Sequence, residues 1–144
     1  MTDTYLLDVN VLIALANDGH IHHRAAHRWF ATVDSWATTP ITESAFVRLQ
    51  STPAVTGTTI LPGEAIAALS QMRSLPGHRW LPDDASFAEP VIDLTALVGR
   101  AQVTDFHLVN LARRTSSRLA TFDGKLCAAL AAPDRELATL IAVD

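Results

Sequence analysis

The apolar residues of this chain fall into two kinds of run. YLLD, residues 5–8, is a short stretch whose aliphatic positions show no polar alternation, the mark of a strand covered on both faces. SWATT (35–39), HRWLPDD (78–84), RLATF (118–122) and ATLIAVD (138–144) are further strand candidates. Between them, apolar residues recur three and four apart. Ala25, Ala26, Trp29, Phe30 and Val33 mark an amphipathic helix over 22–33. Pro40 opens a helix with Ile41, Ala45, Phe46 and Leu49 on one stripe. VLIALAND (11–18), EAIAALSQMRSL (64–75) and LCAALAA (126–132) read as helices, with DGKL as a turn before the last of these. QVTDFHLVNLARRTSS (102–117) is the strongest helical pattern. STPAVTGTTILPG is turn-rich, and a short helix is expected over 93–98, broken by Gly99.

Strands alternating with helices imply right-handed βαβ units, hence an α/β fold with a mostly parallel central sheet and helices on both faces. In such sheets ligands bind beyond the carboxyl ends of the strands, where the strand order reverses. No repeat or linker interrupts the pattern, so the expectation is one domain over 1–144.

Composition narrows the class. With 49% hydrophobic and 18% charged residues the chain is globular, not disordered. Cys127 is the only cysteine, which excludes an internal disulfide or a cysteine zinc cluster. MTDTYLL has no basic leader, and Asp8 interrupts the apolar run too early for a membrane span. A cytoplasmic protein without membrane association is expected. The net charge of −4 argues against broad nucleic-acid binding, but ten of the eleven cations are Arg, and Arg113, Arg114, Arg118 and Lys125 are close in sequence. Arg suits bidentate phosphate contact, and a solvated helix face fits those residues equally well.

Candidate chemistry starts at Asp8, a carboxylate set among aliphatics, which costs several kcal/mol unless compensated (about 1–3 or more). Position relative to the strand ends selects three more acids. Glu43 lies in the first turn of the helix after SWATT, Asp105 in the first turn of QVTDFHL, and Asp123 directly after RLATF. Taken singly, Glu43 and Asp105 fit acids that complement a helix dipole, and Asp123 before Gly124 fits a turn. All four are nevertheless expected at one edge of a parallel sheet. If they converge, their repulsion calls for a hard cation, and oxygen-only ligands select magnesium or manganese. Asn10 is placed to hydrogen-bond beside them, or to serve as an ordinary helix-start Asn.

YLLDVNVLIAL, TPITESAFVRL, QVTDFHLVNLA and RLATFDGKL resemble, in order and separation, the four acidic motifs of the PIN domain. More narrowly they resemble VapC-type ribonuclease toxins, and the resemblance runs over most of the chain. Val9 departs from the hydroxyl residue many relatives carry. The resemblance implies a three-layer PIN-like fold in which Asp8, Glu43, Asp105 and Asp123 are catalytic and bind metal, with Asn10 supporting them. It also implies magnesium-dependent cleavage of structured RNA such as tRNA or ribosomal RNA, with manganese as an alternative ion. A tight complex with a small cognate antitoxin and a homodimer follow from it as well. Arg113, Arg114 and Lys125 are the residues expected to take RNA phosphates.

Other readings have weaker support. His23 and His27 are spaced i, i+4, but no HExxH glutamate accompanies them. A haloacid-dehalogenase-like phosphatase needs a second acid where Asn10 stands. A receiver domain needs an acid pair after the first strand, where only Asp8 occurs. A catalytically inert PIN scaffold that binds a protein partner is disfavoured by the presence of all four acids.

Overall fold

The computed structural model describes residues 3–143. Among them, five parallel strands form one sheet: β1 (Thr4–Leu7), β2 (Ser35–Thr38), β3 (His78–Trp80), β4 (Arg118–Thr121) and β5 (Ala138–Leu140). Their order is β3-β2-β1-β4-β5. The chain therefore steps outward from β1 to β3, then returns to the other side of β1 for β4 and β5. The reversal lies between β1 and β4, which is where an open α/β sheet leaves a crevice. The expected parallel α/β architecture is present, with every strand pair parallel.

Side-chain alternation builds a core on each face. Leu6, Ala37 and Leu119 pack to one side with Phe106, Leu108 and Leu111 of α6 (Val103–Arg114). Leu7, Trp36 and Ala120 pack to the other with Val11 and Leu12 of α1 (Val9–Ala16), Phe46 of α3 (Pro40–Gln50) and Leu69 of α5 (Pro62–Arg73). Each fully buried Leu contributes about 1.5–3 kcal/mol, so Leu6 and Leu7 are consecutive aliphatics because each packs into the core on its own face of the sheet. Completing the fold are α2 (His23–Phe30), the short α4 (Pro53–Thr56) and α7 (Gly124–Ala129).

Three local expectations need correction. Residues 93–98 are not a helix but a tethered loop. The Asp93 N–H donates to Asp134 Oδ2 (2.8 Å) and the Val91 N–H to Asn110 Oδ1 (2.9 Å), so long-range side chains take the donors that helical turns would use. DGKL is not a free turn, because Gly124 already begins α7 and Asp123 caps it. The last strand is short, Ala138–Leu140, and the end of the expected stretch, Asp144, lies outside the described residues. No helix among the described residues is long and apolar enough to cross a membrane.

Candidate active site

Asp8 is the residue at which β1 becomes α1. Its N–H extends the sheet ladder to the Ala120 carbonyl (2.9 Å), and its side chain caps α1 by accepting from the Val9 N–H (2.7 Å). The residue is 4% exposed. Compensation for the buried carboxylate comes from β4, where the Thr121 hydroxyl donates to Asp8 Oδ2 at 2.7 Å. That hydroxyl oxygen in turn accepts from the Asp123 N–H (3.1 Å) and from Asn10 Nδ2 (3.2 Å). Asn10 Oδ1 accepts from the Phe122 N–H (3.3 Å). One buried hydroxyl thus uses its proton and its lone pairs to fasten β1, α1 and the end of β4 across the crevice. Burial still holds the Asp8 carboxyl above the ordinary range against these bonds, and the charge of Asp123 adds to the rise.

Asp123 is the N-cap of α7; its Oδ1 accepts from the Lys125 (3.0 Å) and Leu126 (3.1 Å) N–H groups. Asp105, in the first turn of α6, is different. No donor among the described residues reaches its half-buried carboxylate. Its pKa is pushed up to about 6, first by burial and then by the charges of Asp8 and Asp123. The three aspartates therefore act on one another across the β1–β4 crevice. The same pair of charges, after burial, raises the Cys127 thiol.

Glu43, the fourth acid expected at the site, has partners of its own outside the network that joins the three aspartates. Its Oε2 accepts from the Thr38 hydroxyl (2.6 Å), and its Oε1 lies 3.5 Å from an Arg73 guanidinium nitrogen. Because the Thr38 proton is given to Glu43, His78 Nε2 donates to the Thr38 oxygen (2.7 Å). Partial burial and Arg73 lower the His78 pKa, against the pull of Glu43. Helical phase explains the divergence. Ile41, Ala45 and Arg48 form the stripe of α3 that faces Asp8 and Asp105, and Glu43 is about 200° around the helix from Ile41.

Asp8 and Asp105 lie at the floor of a cavity of about 210 Å³ between α3 and α6, walled by Ile41, Ala45, Arg48 and Thr104 among others. It continues into a wider recess of about 440 Å³, which shares those four wall residues. Among the described residues no three His, Cys, Asp or Glu side chains are already drawn into a single coordination shell. The charge of Asp123 reaches Asp8, and the charges of Asp8 and Asp123 reach Asp105, but the three carboxylates are not collapsed onto a common point.

The remaining candidates are dispersed. Lys125 is exposed in the first turn of α7, two residues past Asp123. Arg113 and Arg114 end α6, about 12 Å or more along its axis from Asp105. They face Asp134 (3.8 Å) and Asp84 (3.0 Å), so the structure does not bring them to the aspartates. His23 Nδ1 and His27 Nε2 donate to the last-turn carbonyls of α1 at Ala14 (2.8 Å) and Leu15 (2.9 Å). His107 bonds both oxygens of Asp83 at 2.9 Å. Sequence reasoning missed Thr121, Thr38 and Arg48. A shared signal was available, since β2 and β4 both end in Ala-Thr and each terminal hydroxyl donates to one of the candidate acids.

Comparison with known proteins places the chain in a family. The profile of the PIN domain family matches residues 5–130. Ribonuclease VapC39 of Mycobacterium tuberculosis (strain ATCC 25618 / H37Rv) is 48% identical over 130 residues, covering 85% of this chain and 91% of the relative. Ribonuclease VapC38 of the same strain is 48% identical over 121 residues, covering 82% and 84%. Among solved structures, that of Mycobacterium tuberculosis VapC20, described as a sarcin–ricin loop cleaving toxin, superposes with a TM-score of 0.59. It covers 87% of this chain and 94% of that one at 18% identity, a likeness of fold.

Proposed function

This chain belongs to the PIN-domain family, among relatives of the VapC ribonucleases, and we propose that it is the ribonuclease toxin of a two-gene toxin–antitoxin module, cutting RNA internally with a divalent cation. The observation that carries this reading is the mutual repulsion of Asp8, Asp105 and Asp123 at the β1–β4 crevice, with Asp105 pushed up to about 6 and offered no donor among the described residues.

Uncompensated negative charge on an oxygen-only donor set fits a hard cation. Magnesium commonly keeps several waters and takes only one or two carboxylates directly, so a loosely gathered trio suffices. Asp8, Asp105 and Asp123 would hold the ion, magnesium or manganese. When bound, it supplies Lewis acidity, acidifying water and offsetting charge on phosphoryl oxygens. The chain's own residues supply the positioning. Thr121 and the Val9 N–H fix Asp8 in one orientation, and the N–H groups of Lys125 and Leu126 fix Asp123 through a single oxygen, leaving Oδ2 free of donors among the described residues. Asn10 holds α1 against the end of β4, so the two strand-end aspartates cannot drift apart. Glu43, whose carboxylate is engaged by Thr38 and Arg73, acts as a brace between α3, β2 and α5.

The substrate class proposed is structured RNA such as tRNA or ribosomal RNA. Lys125, beside Asp123, is the phosphate contact proposed from the basic residues near the C-terminal third. The proposed partners are a small cognate antitoxin and a second copy of the chain, with half-exposed Ile66 of α5 available for the homodimer. The test is incubation of the purified protein with total bacterial RNA in magnesium, in manganese and in chelator. Discrete fragments in the presence of metal alone are expected. Intact RNA under all three conditions would contradict the reading.

A further inference from the structure

The recess that opens onto Asp8 and Asp105 has a polar rim that the aspartate chemistry leaves unused. Arg48 lines both the inner cavity and the outer recess, as do Ile41, Ala45 and Thr104. Ser44 lines the outer recess. Arg48, Ser44 and Thr104 are all exposed. Among the described residues their side chains make no hydrogen bond or ion pair. In the same protein, Arg73, Arg113, Arg114 and Arg118 each lie against an acid. Arg48, by contrast, stands without such an acid on the wall of the cavity that also holds the carboxylates of Asp8 and Asp105.

From this arrangement we infer that Arg48, with the hydroxyls of Ser44 and Thr104, forms a phosphate subsite that holds the RNA backbone next to the bond being cut. The inference rests on the ribonuclease reading above and adds to it the residues that position the strand. The chemistry is complementary. A phosphodiester approaching Asp8 and Asp105 through the recess passes Arg48, and the neighbouring phosphate needs a cation that is not itself neutralised by the protein. Arg48 offers a planar fork of donors matched to two phosphate oxygens. Ser44 and Thr104 each add one O–H donor from opposite walls, α3 and α6. Pro40, Ile41 and Ala45 form the apolar strip between them, against which a ribose can lie. The contact is made to phosphate and sugar, so it positions the strand without reading its sequence.

Such a contact carries a counterion signature. Each phosphate neutralised on a single strand changes the slope of log K against log salt by about 0.7. The experiment measures binding of a fluorescein-labelled single-stranded RNA of mixed sequence, in manganese, to full-length protein carrying Asp105→Asn to suppress cleavage. Adding Arg48→Ala should weaken binding about tenfold at low salt, a loss of about 1.4 kcal/mol, and flatten the salt slope by about 0.7. Arg48→Lys, which keeps the charge, should restore most of the slope. In otherwise wild-type protein cleaving total RNA, Arg48→Ala should raise KM by a similar factor and leave kcat within about twofold, as expected for a contact made equally in ground and transition states. An unchanged salt slope, or a fall in kcat with KM unaltered, overturns the subsite. Failure of the wild type to cleave RNA at all would instead sink the ribonuclease reading, so the two failures are distinguishable.

Discussion

The Thr121 hydroxyl donates to Asp8 Oδ2 at 2.7 Å from the strand adjacent to β1, and Thr121 is wholly buried. This bond joins the ends of the two strands between which the sheet order reverses, and it offsets part of the cost of a carboxylate placed among aliphatics. Removing it makes the first prediction. Thr121→Val keeps the shape but leaves Asp8 Oδ2, Asn10 Nδ2 and the Asp123 N–H short of a partner, which should cost about 1–3 kcal/mol. Urea denaturation measures this, and Thr121→Ser should recover most of the loss.

Asp105 gives a pH dependence whose sign is fixed by its environment. Its folded pKa of about 6 lies above the ordinary 3.8, so between these values the folded chain holds a proton that the unfolded chain has released. Without metal, stability therefore falls as pH rises through that window, and the penalty is complete above it. In chelator at pH 8, Asp105→Asn should melt above the wild type, and the difference should vanish near pH 4. An Asp105 that only complements the α6 dipole would behave oppositely, with the variant melting lower at pH 8.

Glu43 should behave as a brace. Glu43→Gln retains an acceptor for the Thr38 hydroxyl but loses the ion pair to Arg73, whose side chain is 41% exposed. The expected stability loss is below about 1 kcal/mol, and magnesium affinity measured by calorimetry should change by less than about threefold, well short of the tenfold that 1.4 kcal/mol represents. Loss of magnesium binding in this variant would return Glu43 to the ion.

Gly77 tests the frame that carries Trp36. Its φ is +85°, and a Cβ there would be driven into the Asp34 carbonyl oxygen, while the Gly77 carbonyl accepts from the Trp36 N–H at 3.0 Å. Gly77→Ala should destabilise the fold by about 1–3 kcal/mol, read as a lower denaturation midpoint.

The parts legible in the sequence were those set by local chemistry. An aliphatic run too short for a helix and ending in Asp announces β1 and Asp8; acids directly after a strand or in a helix's first turn announce Asp123 and Asp105. Phase within a helix was the information left unused. Arg114 is about 180° around α6 from Asp105, and Glu43 is almost as far from the α3 stripe that meets the cavity. Both could be placed by counting residues. The hydroxyl of Thr121 could not, because its role depends on β4 lying beside β1, a pairing between residues 113 apart. The loop over 85–99 was opaque for the same reason, since Asn110 and Asp134 hold its backbone from other elements.

On the proposed reading, Asp8, Asp105 and Asp123 jointly hold the ion with which this chain cuts RNA. Its most direct test is the rate of RNA cleavage as magnesium is raised, measured for the wild type and for Asp105→Asn. The wild-type rate should climb from nothing in chelator to a plateau, and the variant should stay at least about a hundredfold lower at every concentration, a loss of about 2.7 kcal/mol in transition-state stabilisation. A variant that cleaves within threefold of the wild type along the same magnesium curve would mean that Asp105 does not hold the ion.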